Sequence, residues 1–283
     1  MPKINDSTEC IGDYFLVNSA PKPARQFNIK YLTEGNSIYE VFRIHDGIPL
    51  FFQEHIERLL NSLNASNLKF DISKTTIIED TKKLISINSF KEANIKLLLN
   101  ISDESSNFVL YFDNAKLPTA DDCKLGIKVG LYDAERIAPN IKYINMELRS
   151  NANSEMSTSG LYELLLVKDH KYITEGSRSN VFFIKGDKVF TPPLQYVLPG
   201  ITRDKVIQDC HDLKYELIEQ EITIKELSNF DSGFITGTSP KVLAIRSIDE
   251  INYKVNNSVC NAIAKRYDEI VDADLLQMYN KWR

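Results

Sequence analysis

Residues 38–44 (Ile-Tyr-Glu-Val-Phe-Arg-Ile) form a β-branched and aromatic run, and a second short apolar run, Leu50-Phe51-Phe52, follows it. His45-Asp46-Gly47 lies between them, and Asp-Gly between two such runs predicts a hairpin. The period then changes. Ile56, Leu59, Leu60 and Leu63 fall at i, i+3, i+4 and i+7, which places them on one face of a helix. A second helix is expected over 74–88, where Ile77, Ile78, Leu84 and Ile85 are apolar. Residues 95–101 and 108–112 read as two more strands, with the polar stretch 103–107 turning between them. This order of elements predicts an α+β unit with an antiparallel meander.

Residues 114–122 (Asn-Ala-Lys-Leu-Pro-Thr-Ala-Asp-Asp) interrupt the pattern. They hold Pro118, small polar side chains and no periodicity, and read as a linker. Beyond it, 125–131, 161–168 and 181–184 are expected strands, and Val189-Phe190-Thr191-Pro192-Pro193 closes another. Gly200-Ile201-Thr202-Arg203 opens a helix with Val206, Ile207, Cys210 and Leu213 inward. A strand over 232–236 runs into the turn Gly237-Thr238-Ser239, and a terminal helix is expected over 258–277. No internal repeat or low-complexity tract interrupts the chain.

Composition narrows the classes of function. With 43% hydrophobic and 26% charged residues, 283 residues suffice for a packed core without covalent staples. There are 34 Lys+Arg against 39 Asp+Glu, a formal charge of -5, so no basic excess exists to neutralise a nucleic-acid backbone. No apolar run reaches the roughly 18 residues that would suggest a bilayer span. Residues 1–12 include Asp6 and Glu9 and no apolar core, unlike a signal peptide. Cys10, Cys123, Cys210 and Cys260 lie far apart, and so do His45, His55, His170 and His211, with no metal-ligand spacing. The expectation is a cytoplasmic protein with reduced thiols, no nucleic-acid or membrane partner and no metal.

Four segments could carry chemistry. Leu198-Pro199-Gly200-Ile201-Thr202-Arg203 puts Pro and Gly before a helix, whose first amides and Thr202 hydroxyl favour an anion. Gly237-Thr238-Ser239 offers a second loop of amides and hydroxyls. Each also reads as an ordinary capped loop. Lys142 lies among Ala138-Pro139-Asn140-Ile141 and Tyr143-Ile144-Asn145. Partial burial there would favour the neutral, nucleophilic amine, whereas a place on an edge strand would leave an ordinary surface lysine. In Thr174-Glu175-Gly176-Ser177-Arg178-Ser179-Asn180, a polar loop ends in an apolar strand. A buried Glu175 would need a cationic or proton-donating partner, and an exposed one would mark a simple capped turn.

Taken in order, these segments resemble the class IV, or fold-type IV, pyridoxal-phosphate aminotransferases, a family that includes branched-chain and D-amino-acid aminotransferases and aminodeoxychorismate lyase. Tyr39-Glu40-Val41-Phe42-Arg43 with Asp46-Gly47 resembles the first core strand and hairpin. Glu54-His55-Ile56-Glu57-Arg58-Leu59 resembles the start of the E-H-x-x-R-L helix. Lys142 stands where the family carries its Schiff-base lysine, and Glu175 to Asn180 resembles the E-G-x-x-S-N loop. Thr191-Pro192-Pro193, Leu198 to Arg203, and Phe234 to Ser239 resemble the family's T-P-P, L-P-G-I-T-R and final phosphate-loop motifs. The likeness spans about 30 to 250.

The resemblance implies pyridoxal 5'-phosphate as cofactor and an α+β chain of two domains: a small N-terminal α/β domain over 1–117 and a larger C-terminal mixed α/β domain over 118–283. It implies that Lys142 forms the internal aldimine and later moves the proton between substrate and cofactor. Arg58 would bind the phosphate, with the amides of Ile201 and Thr202, the Thr202 hydroxyl and Thr238. Glu175 would meet the pyridine nitrogen, with Ser179 and Asn180 beside it. Tyr39, Val41, Arg43, Arg178 and Ser239 would face the substrate, Arg178 and Arg43 as candidate carboxylate ligands. Arg178 also fits a surface ion pair. The implied reaction is ping-pong transfer of an amino group between an amino acid and a 2-oxo acid by a homodimer. The lyase branch, which releases pyruvate, usually has Thr where this chain has Val41, and that difference favours transamination. A non-catalytic member of the fold is the remaining alternative.

Overall fold

The computed structural model describes residues 9–102 and 105–282. Most of the stretch 1–12 read against a signal peptide, and two residues of the turn over 103–107, lie outside the described residues. The chain divides into two compact units: Met1–Lys116 with Ile141–Met146 and Val271–Arg283, and Leu117–Asn140 with Glu147–Ile270. The short segment carrying Lys142 therefore groups with the N-terminal unit.

The first unit contains β1 (Cys10–Val17), β2 (Ala20–Pro23), α1 (Lys30–Thr33), β3 (Asn36–His45), β4 (Ile48–Pro49), α2 (Phe52–Ala65), α3 (Lys74–Ser86), β5 (Ala93–Ile101) and β6 (Ser106–Asp113). Its strands make one antiparallel sheet in the order β2-β1-β6-β5-β3-β4. Along β3 the side chains alternate. Ile38, Glu40, Phe42 and Ile44 are buried, while Tyr39, Val41 and Arg43 are half-buried on the other face. The buried face packs on Ile56, Leu59, Ile77 and Leu84 of α2 and α3. Burying each such side chain contributes about 1.5–3 kcal/mol. The opposite face carries Leu98, Val109 and Tyr111, packed with Phe15, Phe27 and Leu32.

The hairpin expected at Asp46-Gly47 is present, both residues having positive φ (48° and 77°), as a two-residue turn of type I′ requires. Its second strand is shorter than the apolar run Leu50-Phe51-Phe52 suggested. Phe51 turns left-handed (φ 49°), which ends the ladder, and Phe52 starts α2. Phe52, Ile56, Leu59 and Leu63 are buried together on that helix, so the run belongs to the helical period. The Phe52 ring meets Phe42 and Trp282 edge-on, at 5.1 and 4.9 Å between centroids.

The second unit contains α4 (Ala120–Leu125), β7 (Ile127–Asp133), most of α5 (Met146–Ser159), β8 (Glu163–Lys168), β9 (Tyr172–Gly176), β10 (Asn180–Lys185), β11 (Lys188–Thr191), α6 (Ile201–Asp212), β12 (Glu216–Glu219), β13 (Ile222–Thr223), β14 (Ser232–Gly237), β15 (Lys241–Ile248), β16 (Ile251–Asn252) and the first half of α7 (Ser258–Trp282), whose second half belongs to the first unit. Its sheet runs β12-β11-β10-β14-β15-β7-β8-β9-β13, with β16 paired to β15. The β11/β12, β15/β7 and β7/β8 pairs are parallel, so the sheet is mixed.

Three expectations change here. The linker over 114–122 ends early, because Thr119 and Asp122 form a capping box that opens α4. Tyr172 to Gly176, read in part as a polar loop, is strand β9, pairing with β8 and β13. The terminal helix continues to Trp282. No apolar period marks helix α5 in the sequence, because among its residues only Ala152 is buried. No helix among the described residues is long and apolar enough to cross a membrane.

Candidate active site

In the first unit, Lys142 is fixed to β3 by backbone bonds. The Tyr39 N–H donates to the Lys142 carbonyl at 3.0 Å, and the Ile144 N–H donates to the Ser37 carbonyl at 2.9 Å. A single antiparallel bridge joins Ile38 to Tyr143. The Lys142 N–H also donates to the Ser62 hydroxyl of α2 at 3.4 Å. The half-buried Lys142 side chain then lies over the Tyr39 ring, with Nζ 4.8 Å from its centroid. The structure thus brings Lys142 together with Tyr39 on the β3 face that also bears Val41 and Arg43.

Beneath that face sits Glu40, 1% exposed. Arg58 donates to it twice, from Nε to Oε1 at 2.7 Å and from Nη2 to Oε2 at 2.8 Å. His55 Nδ1 lies 2.8 Å from Oε2. Burial would push the Glu40 carboxyl up. The charge and hydrogen bonds of Arg58, the His55 hydrogen bond and the charge of Lys142 outweigh that and hold it well below the usual glutamate range. Burial lowers the His55 pKa, which keeps the ring neutral. An ionised carboxylate only accepts, so the imidazole proton is on Nδ1.

The remaining cations of this face are paired. Arg43 Nη2 is 3.5 Å from Glu92 Oε2, and His45 Nδ1 also contacts Glu92. Lys96, opposite Val41 in the β3/β5 register, is buried and holds Glu9 at 2.6 Å and Asp113 at 3.4 Å. Tyr111 donates its hydroxyl hydrogen to Glu9 at 2.9 Å.

In the second unit, Glu175 on β9 is 2% exposed and has the cationic partner its burial requires. Arg136 Nε donates to Oε1 at 2.8 Å. The Leu198 N–H donates to Oε2 at 3.0 Å, and the Asn180 Nδ2 donates to the same oxygen at 3.5 Å. The loop after Glu175 is organised from below by Glu163. Its carboxylate accepts from the Leu164 N–H at 2.9 Å, the Ser177 N–H at 3.1 Å and the Ser177 hydroxyl at 2.5 Å. It also accepts from the Arg178 N–H at 3.3 Å and the Ser179 hydroxyl at 2.8 Å.

Two glycines make this packing possible. A Cβ on Gly176 would stand 2.0 Å from Ser179 Oγ, and one on Gly200 would stand 2.1 Å from Asn180 Oδ1. Asn180 Nδ2 donates to the Leu198 carbonyl at 3.0 Å, so the Glu175 loop and the Leu198–Gly200 segment are locked to each other. From Gly200 the chain enters α6, where the Ile201 and Thr202 amides belong to the unbonded first turn. The Thr202 hydroxyl is buried, 3.5 Å from the Tyr267 hydroxyl. Arg203 points elsewhere, with Nη2 on Glu219 at 2.7 Å and on the Pro192 carbonyl at 3.3 Å. Thr238 and Ser239 form the half-buried turn between β14 and β15. Arg178 is exposed and donates from Nη2 to Asn153 of α5.

Four residues in these clusters escaped the sequence reading: Arg136, Glu163, and Glu40 with His55 as partners of Arg58. Two left a signal. Glu40 falls in phase with Ile38, Phe42 and Ile44, and Glu163 heads the run Leu164-Leu165-Leu166, so an acid stands at an apolar position each time. Arg136 lies in a loop with no period.

An antiparallel unit with a lysine pinned over an aromatic strand face, and a mixed-sheet unit with a buried glutamate beside a helix N-terminus, are the parts of a fold-type IV enzyme. The family model described as "Amino-transferase class IV" matches residues 37–248, and the chain belongs to that family. It is a pyridoxal-phosphate-dependent aminotransferase, since the class IV enzymes depend on that cofactor.

A probable branched-chain-amino-acid aminotransferase of Rickettsia felis is 29% identical over 252 residues, covering 83% of this chain and 86% of that protein. An aminodeoxychorismate lyase of Bacillus subtilis is 27% identical over 236 residues, covering 77% and 80%. The solved branched-chain amino acid aminotransferase of Escherichia coli superposes with a TM-score of 0.82 at 25% identity, covering 93% of this chain and 96% of that one.

The residues present fit the cofactor. A carboxylate has about four acceptor positions, and the bonds to Glu175 use three, leaving one for a protonated ring nitrogen. The buried Thr236 hydroxyl, one residue before Gly237, finds no hydrogen-bond partner among the described residues. On β14, two residues before Thr238, it is a spare donor of the kind a phosphate would accept from.

Proposed function

We propose that this aminotransferase works through Lys142, with Arg58, Ile201, Thr202 and Thr238 on the cofactor phosphate and Glu175 on the pyridine nitrogen. The observation that carries the reading is the placement of Lys142: two backbone bonds to β3 fix it, and its amine lies over Tyr39. Bound pyridoxal phosphate supplies an aldehyde and an electron sink for charge developing at the substrate Cα. Lys142 Nζ would hold the cofactor and would take and return the proton at the substrate Cα. Glu175, oriented by Arg136 and the Leu198 amide, keeps a proton on the ring nitrogen. Ser179 and Asn180 hold the loop that carries Glu175.

Substrates are an amino acid and a 2-oxo acid, as in the family. Tyr39 and Val41 line the substrate side. Arg43, Arg178 and Ser239 are its candidate polar contacts, and for the two arginines substrate would have to compete with Glu92 and Asn153. The working form is a homodimer, in the cytoplasm. Val41 carries no hydroxyl to take part in a proton step, which favours transamination over the elimination performed by the lyase relatives.

A half-reaction panel of L- and D-amino acids tests this reading. An active donor should bleach the visible absorption of the bound cofactor and release its own 2-oxo acid, and added 2-oxo acid should restore the band. Release of pyruvate and recovery of the band without any added 2-oxo acid would assign the lyase reaction instead.

A further inference from the structure

Arg58 and Glu40 approach from different elements, α2 and β3, and meet through two parallel bonds at 2.7 and 2.8 Å. This side-on pairing uses the Nε–Nη2 edge and fixes the plane of the guanidinium. The Nη1 corner is thereby turned away from the carboxylate. His55 donates to the same carboxylate at 2.8 Å and fixes it in turn. All three side chains are largely or wholly buried, Arg58 least so at 11% exposed.

A buried carboxylate at this place is not explained by stability. Glu40 stands in phase with Ile38, Phe42 and Ile44, and replacing a buried ion pair as a whole with apolar residues is often neutral or stabilising. Nor is it explained by attraction, because a negative charge on the partner of a phosphate-binding arginine weakens the pull on an anion. What the pair supplies is orientation. A guanidinium held by two elements has already lost its freedom before a ligand arrives, which lowers the ordering cost of binding.

We propose that Glu40 is a positioning residue that aims Arg58 at the cofactor phosphate and so gives the protein its preference for a phosphorylated aldehyde. The proposal rests on the assignment of Arg58 to the phosphate made above. The His55–Glu40–Arg58 chain acts only through Arg58 and touches no reacting atom.

The test is equilibrium titration of the apoprotein with pyridoxal phosphate and, separately, with pyridoxal, which lacks the phosphate. In E40Q the affinity for pyridoxal phosphate should fall about tenfold or more, the scale of a charged hydrogen bond, while that for pyridoxal stays within about twofold. In an Arg58→Ala background, Glu40→Gln should produce no further loss for either aldehyde. Equal losses for both aldehydes would mean a merely structural role and overturn the proposal. So would unchanged or tighter binding of pyridoxal phosphate, the result expected if only the charge of Glu40 mattered. If E40Q does not fold, Glu40→Asp, which keeps the charge and withdraws the carboxylate, should show the same selective loss, and its absence there has the same adverse meaning. A wild-type protein with no preference between the two aldehydes would instead refute the assignment of Arg58 to the phosphate.

Discussion

Arg136 Nε stands 2.8 Å from Glu175 Oε1, and both side chains are almost entirely buried. The pair predicts a loss larger than a surface bridge would give. Arg136→Ala leaves the carboxylate buried without its cation and should cost about 3 kcal/mol, the scale of a broken buried pair. Urea unfolding of the apoprotein measures it. A loss below about 1 kcal/mol, the ceiling for exposed pairs, would show that the contact is not buried in solution.

Glu163 makes a second prediction. Its carboxylate accepts from two hydroxyls and from backbone amides of the same loop. Glu163→Ala should leave those donors unpaired, at a cost of about 1–3 kcal/mol for the buried ones, and should loosen the turn that places Ser179 and Asn180. Hydrogen exchange reads the loop directly: the Ser177 and Arg178 amides should lose protection in the variant, and unchanged protection would contradict the role.

Much of this architecture is legible in the sequence. The alternation over 38–44 separates the face bearing Tyr39, Val41 and Arg43 from the buried one, and the structure keeps that separation. The i, i+3, i+4, i+7 pattern finds α2 but misses its first turn, because Phe52 can serve a strand or a helix and only the left-handed Phe51 decides. The apolar flanks of Lys142 left a buried amine and an ordinary surface lysine both open, and only its place in a motif order chose between them. What pins it, backbone bonds to a strand about a hundred residues away, leaves no local pattern. Arg136, whose partner lies 39 residues on, is invisible for the same reason.

Asp209 predicts a pH dependence. Burial pushes its carboxyl up to about 6, against the lowering effect of Arg266, whose Nε is 3.7 Å away. A raised acid pKa means the folded state holds a proton that the unfolded state has released. The stability it contributes is full below the ordinary aspartate range and is lost as pH rises through about 6. Asp209→Asn should therefore match the wild type near about pH 4 and exceed it in Tm near about pH 7.5. An equal Tm difference at both values would contradict this.

The thiols are graded by burial. Burial pushes Cys10, Cys210 and Cys260 each up to about 12, whereas Cys123 on α4 is exposed. A thiol reagent applied to the native protein should modify Cys123 rapidly and the other three only after denaturation. Mass mapping of modified peptides checks the order, and early labelling of Cys210 would contradict it.

Lys142 is the residue on which the proposed chemistry turns. Borohydride reduction of the cofactor-loaded protein, followed by proteolysis and mass mapping, tests it most directly. The reduced cofactor mass should appear on the peptide containing Lys142, and no such adduct should form in Lys142→Ala. Attachment to a different lysine in the wild-type protein, or an undiminished adduct in the variant, would contradict it.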